Sequence, residues 1–188
     1  MMTDGIATSP TRQSPLAWAL GVNYAAMMAL AIAVNLFPVY LTALGEALGG
    51  LTHEQLGRIG AATFLGLVAG ILLTGPLADR FGPKRFAVLG NLLVAAGLGL
   101  LALAQSYPAV LAAAALMGFG AGVLDMVLSP IVCAFQPAQR TAAMNWLHSF
   151  YCVGAVATVL IASLALRVGI GVRTLALWLT LLPLLVGI

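Results

Sequence analysis

Charge is scarce in this chain, with eight Lys or Arg and five Asp or Glu among 188 residues. Against 62% hydrophobic residues and a mean hydropathy of +1.09, so little polar surface cannot cover a soluble globule of this length. The composition fits a bilayer as solvent. The net charge of +3 does not point to nucleic acid, because the basic residues are scattered at segment ends without a polar, aromatic-rich surface around them. Cysteine is almost absent too. Cys133 and Cys152 lie in or at the ends of apolar segments and read as small apolar side chains, which leaves the redox compartment undefined. No glycine loop with a phosphate-binding lysine is present, and no His/Cys set has metal-ligand spacing. Ser149 follows His148 on the same segment, the wrong geometry for a serine nucleophile and its base. No enzyme activity and no cofactor are expected.

What is abundant is long apolar sequence. Apolar runs fall at about 16–44, 54–77, 86–105, 109–133, 143–166 and 173–188. The first five reach the ~20 residues that a hydrocarbon core of ~30 Å requires at helical rise, and lipid leaves backbone groups no partner outside the helix. The sixth run ends at Ile188 without a polar flank, so the expectation is a truncated last helix. Residues 1–15, with several Ser, Thr and Pro, are expected to form a disordered cytoplasmic N-terminus. Thr52 and Gln55 have capping-box spacing before the second run, and Pro108 suits the start of the fourth. Gly66 with Gly70, and Gly118 with Gly122, are small-xxx-small pairs that permit close helix contact. Trp18, Tyr24, Tyr40 and Trp178 fit interfacial anchors.

The densest group of charges, Asp79, Arg80, Lys84 and Arg85, sits in one stretch, Gly75-Pro76-Leu77-Ala78-Asp79-Arg80-Phe81-Gly82-Pro83-Lys84-Arg85. Gly82 can adopt a left-handed conformation that ends one helix, Pro83 can open the next, and Asp79 can meet the positive end of a neighbouring helix. The stretch resembles the G-x-L-A-D-R-x-G-R-K-R loop of the major facilitator superfamily, with Pro83 in place of a basic residue. The resemblance implies an all-α membrane protein equivalent to a six-helix half of that fold. Gly75, Asp79, Arg80, Gly82, Lys84 and Arg85 would then form the conformational-gating loop between its second and third helices. Counting Lys and Arg, a cytoplasmic N-terminus places Arg12, Arg80, Lys84, Arg85 and Arg140 inside and Arg58, Arg167 and Arg173 outside, and the basic excess favours that orientation.

Within the apolar runs the costly residue is Asp125. A carboxylate near a helix centre costs on the order of 2.5–3.5 kcal/mol on insertion scales, so it should face a cavity or a partner. On a helical wheel Gly118, Gly122, Asp125 and Ser129 fall on one side, and Asn145, His148, Ser149 and Cys152 share a stripe of the fifth run. Asp125 and His148 come out at similar depth on consecutive helices. Asn23 and Asn35 on the first run are about 120° apart, so one lining a cavity does not require the other to do so. Gly122-Val123-Leu124-Asp125, followed by Met144-Asn145-Trp146-Leu147-His148-Ser149-Phe150-Tyr151-Cys152-Val153-Gly154-Ala155, is similar to helices 4 and 5 of fucose-permease-like sugar:proton symporters. That similarity implies Asp125 as the proton-coupling carboxylate, with Asn145 and His148 at or beside the substrate cavity.

The function expected is secondary active transport of a small polar solute, a sugar first, by alternating access driven by a proton gradient across the plasma (inner) membrane. The candidate cavity residues are Asn145, His148, Ser129, Asn35 and Asn23. Efflux of amphipathic compounds is the alternative within that class, and a non-transporting membrane fragment or assembly partner the alternative outside it. The partners expected are the solute, the bilayer, and either a C-terminal six-helix half or a second copy. The orientation has a direct test. In a background lacking Cys133 and Cys152, a cysteine at position 53 should react with an impermeant reagent added outside and one at position 84 should not; the reverse pattern overturns it.

Overall fold

The computed structural model describes residues 13–187 and is helical almost throughout: α1 Gln13–Ala47, α2 His53–Phe81, α3 Pro83–Leu103, α4 Tyr107–Phe135, α5 Arg140–Arg167, α6 Val172–Leu179 and α7 Leu181–Gly187. Helices α1 to α5 are each long and apolar enough to cross a membrane. The segment expected to be disordered lies outside the described residues as far as position 12, and its last three positions open α1.

Local chemistry sets several helix ends. Thr52 caps α2: its Oγ1 accepts from the Gln55 backbone N–H at 3.2 Å, and the Thr52 N–H donates to Gln55 Oε1 at 2.9 Å, so two otherwise orphaned donors are satisfied reciprocally. Pro108 stands in the first turn of α4, where a missing N–H costs nothing. The sixth run divides at Thr180. Pro183 has no N–H to offer the Leu179 carbonyl, while the Thr180 N–H and Oγ1 both donate to the Ala176 carbonyl, at 3.0 and 2.7 Å.

The charged stretch is a joint, not a loop. Helix α2 continues through Asp79 and Arg80 to Phe81, and α3 begins at Pro83, leaving Gly82 as the sole linking residue. Gly82 has φ 88° and ψ 138°. The positive φ suits glycine, but the extended ψ differs from the left-handed conformation expected, because the chain must turn directly into a proline-led helix.

Helix α4 is the axis of the bundle, packing on α2, α3 and α1, while α5 packs mainly on α1. Between lipid-solvated helices there is little hydrophobic driving force, so close packing has to hold them. Small residues allow it. A Cβ at Gly118 or Gly122 would overlap the carbonyl oxygen of Thr63 or Leu67, and one at Gly66 or Gly70 would strike the α4 backbone. On the opposite face of α4, a Cβ at Gly120 would lie 2.7 Å from the Val94 nitrogen of α3. Gly154 seats α5 on α1, where a Cβ would come within 2.9 Å of Met28 Cα.

Two expected anchors face inward. Tyr40 is 1% exposed and its hydroxyl donates to the Ile170 carbonyl at 3.0 Å, tying α1 to the segment before α6. Tyr24 stacks on Phe150 of α5 at 4.5 Å between ring centroids. Trp18 and Trp178 do lie outward, 74% and 59% exposed. Buried tyrosines seek a hydrogen bond or an aromatic partner, and both needs are met here inside the bundle.

Gly122→Val should force α2 and α4 apart and cost at least the ~1–3 kcal/mol typical of overpacking, since backbone rather than a movable side chain blocks the new methyls. Gly99→Ala, whose Cβ would meet nothing within 4 Å, should be neutral or slightly stabilising. Thermal unfolding in detergent compares them; equal melting temperatures would refute the close-packing account.

Candidate functional site

The α4 stripe divides in two. Gly118 and Gly122 are buried against α2, so they are packing residues and do not line a path. Asp125 and Ser129, further along the same side, are half-buried. Asp125 lies ten residues from the end of α4 at Phe135, and His148 eight from the start of α5 at Arg140, about 15 and 12 Å at helical rise. The two share a depth but no ion pair or hydrogen bond; among the described residues the one ion pair is Arg58–Glu54, an i,i+4 pair on α2.

On α5, Asn145, His148, Ser149 and Cys152 are exposed. They form an open polar stripe on the side of α5 away from α1. Ser149 Oγ donates to the Asn145 carbonyl at 2.8 Å. The stripe becomes apolar further along, at Val156 and Val159. Polar groups lie on this face at the depth of Asp125 and apolar ones beyond it.

The two asparagines of α1 part company. Asn35 Nδ2 donates to the Ala31 carbonyl at 2.8 Å and reaches the Tyr151 hydroxyl of α5 at 3.4 Å. Tyr151 is thus a polar link between α1 and α5 that the sequence reading did not single out. Its signal was available: three residues after His148, it falls about 60° away on the wheel. Asn23 points elsewhere. It donates to the Ala19 carbonyl at 2.8 Å and lines a cleft of about 310 Å³ between α1, α3, α4 and α7.

That cleft also holds Asn91, the sole polar side chain of α3 beyond its first turn. Asn91 is 2% exposed. Its Nδ2 donates to the Ala87 carbonyl at 2.9 Å, but its Oδ1 has no partner among the described residues, a burial that ordinarily costs about 1–3 kcal/mol. Lys84 stands at the mouth of the cleft near Trp18 and Phe135.

At the joint, Gly75 and Ala78 are buried while Asp79, Arg80, Lys84 and Arg85 are exposed. The Arg80 guanidinium lies 5.3 Å from the centre of the Phe81 ring. Asp79 has no ion pair among the described residues. The helix order puts Arg80, Lys84, Arg85 and Arg140 at one end of the bundle and Arg58, Arg167 and Arg173 toward the other. No group of three or more His, Cys, Asp or Glu among the described residues could hold a metal.

Residues 17–188 match the family model described as Major Facilitator Superfamily. NiaP of Bacillus subtilis, a candidate niacin/nicotinamide transporter, is 34% identical over 113 residues, which is 60% of this chain and 28% of that protein. An uncharacterized MFS-type transporter of Mycobacterium tuberculosis is 31% identical over 136 residues, 67% of this chain and 32% of its own length. The multidrug resistance protein MdtH of Aeromonas hydrophila is 34% identical over 120 residues, 58% of this chain and 30% of that protein. The chain spans about a third of the length of these relatives.

The exposure of the α5 stripe predicts its reactivity. Cys152, exposed on it, should react with a small hydrophilic thiol reagent several-fold faster than Cys133, half-buried and with its Sγ 3.9 Å from the Arg140 carbonyl. Mass spectrometry of timed labelling in nanodiscs measures this. Faster labelling of Cys133 would show that the stripe faces lipid instead of water.

Proposed function

Because the chain belongs to the Major Facilitator Superfamily, matching its model over residues 17–188, we propose that it supplies one six-helix wall of a secondary transporter that moves a small polar solute by alternating access. The observation that carries this reading is a half-buried carboxylate, Asp125, set deep in α4 at the level of the exposed polar stripe of α5. A membrane-embedded carboxylate that can be alternately protonated and ionised couples a proton gradient to solute binding. His148 and Asn145 would contact solute beside it, with Ser129, Asn35 and Tyr151 at the margin. Asn23 and the cleft it lines lie apart from that wall.

A second six-helix half, or a second copy facing the same way, would supply the opposite wall, since substrate in such folds sits between repeats related by an axis along the membrane normal. The charged joint at Gly82 would face the cytoplasm of an inner membrane, held by its basic cluster. Sugar is the solute that the helix 4 and 5 wording favours. The names of the relatives above point to other cargo, niacin or nicotinamide on one side and drugs on the other, and the similarity to a multidrug resistance protein keeps efflux as the second reading.

In the complete transporter assembly in proteoliposomes, Asp125→Asn should abolish uphill accumulation while solute exchange persists. His148→Ala should weaken solute binding or move the pH optimum. The panel should contain sugars, niacin, nicotinamide and an amphipathic cation, each with and without a pH gradient. Wild-type, gradient-driven accumulation by Asp125→Asn would exclude the carboxylate from coupling.

A further inference from the structure

The cleft between α1, α3 and α4 has three properties that together define a ligand. Its volume of about 310 Å³ lies at the small end of the range for small-molecule sites. Val22, Val88, Leu128 and Phe135 give it apolar walls. Two of its polar groups stand along one helix: Lys84, exposed, in the first turn of α3, and Asn91, buried, seven residues further on, about 10 Å at helical rise. Lys84 is exposed and has no ion pair among the described residues. Asn91 brings an unpartnered acceptor, its Oδ1, while its Nδ2 gives one of its two hydrogens to the Ala87 carbonyl.

A cation at the rim asks for an anion. An unpartnered buried acceptor asks for a hydrogen-bond donor. Apolar walls between them ask for an apolar body. We propose that this cleft is a second binding site, separate from the wall that carries Asp125, for an amphipathic organic acid with a hydroxyl or amide donor at the end remote from its acid group. The carboxylate pairs with Lys84, the body lies along Val88 and Leu128, and the distal donor bonds Asn91 Oδ1, with the Asn23 amide alongside. A diacyl phospholipid fits less well: it can place a phosphate at Lys84, but the chains it would send inward carry no donor for Asn91.

The test uses 4-hydroxycinnamate, cinnamate and the methyl ester of 4-hydroxycinnamate, titrated calorimetrically into the protein in nanodiscs. The wild type should bind 4-hydroxycinnamate saturably and about tenfold more tightly than cinnamate, the discrimination that one good hydrogen bond gives. In Asn91→Leu that preference should vanish, leaving the two acids equal. This variant should melt no lower than the wild type, since removing a buried unpaired acceptor offsets the loss of the Nδ2 bond to Ala87. Lys84→Gln should weaken both acids about tenfold, as expected for loss of a partly desolvated charge pair, and leave the methyl ester unchanged. Val88→Trp, which fills the cleft from its rim, should abolish all binding and serves as the check should Asn91→Leu fail to fold. Absence of saturable binding, a hydroxyl preference that survives Asn91→Leu, or wild-type affinity in Val88→Trp would each overturn the proposal. So would binding seen in detergent but lost in nanodiscs of anionic lipid, which would assign the cleft to lipid.

Discussion

The approach of α2 to α4 carries the bundle. Lipid tails are as apolar as leucine, so these helices gain nothing by hiding side chains from them, and association rests on dispersion between surfaces that fit. Dispersion weakens sharply with a gap of even half an ångström. At Thr63 to Gly118 and Leu67 to Gly122 the two backbones meet without a Cβ between them. With α2 fixed on one side and α3 seated at Gly120 on the other, α4 becomes the member to which the remaining helices are referred. Helix α5 attaches chiefly through α1, at Gly154, at the Tyr24–Phe150 stack and at Asn35–Tyr151. The bundle therefore consists of two tight groups, α2–α3–α4 and α1–α5, joined along α1 and α4.

Much of this was legible because lipid is a simple solvent. Satisfying the backbone without water leaves little except helices of about twenty apolar residues, so the first five spans stand out in the sequence. The reciprocal bonds of Thr52 and Gln55 and the glycine pairs are also local, and periodicity finds them. Periodicity does not say which neighbour a face meets. It put Asn23 and Asn35 on different faces of α1, but only the packed bundle sends Asn23 to α3 and Asn35 to Tyr151. It grouped Gly118 and Gly122 with Asp125 and Ser129, whereas α2 covers the first pair and leaves the second half-open. Tyr24 and Tyr40 were assigned to the interface from residue type, and tertiary partners, an aromatic ring and a carbonyl, overrode that preference. Asn91 does not stand out in the sequence because an amide in a long apolar run has a modest insertion cost beside that of a carboxylate. Its significance comes from an oxygen that only three-dimensional packing isolates.

The same difference in scale separates the two polar regions. The wall around Asp125 is built from groups that remain partly open, so its chemistry depends on what faces it. The cleft around Asn91 is lined by α1, α3, α4 and α7 of the chain itself, and its asparagines are buried. The proposed transport wall would need a facing partner to become a site; the proposed cleft site would not.

The single-residue joint at Gly82 also constrains how the protein is made. With no loop between them, α2 and α3 can enter the bilayer together as a hairpin, yet its arms pack far more on α4 than on each other. Gly118 follows Gly82 by 36 positions, which at the ~5–20 residues per second of translation is a delay of about 2–7 s. During that interval the bare backbone strip of α2 at Gly66 and Gly70 lies against lipid with its intended neighbour not yet synthesised. Biogenesis of this bundle thus has a vulnerable interval written into the order of its helices, in which a membrane chaperone or a premature partner would find α2 before α4 does.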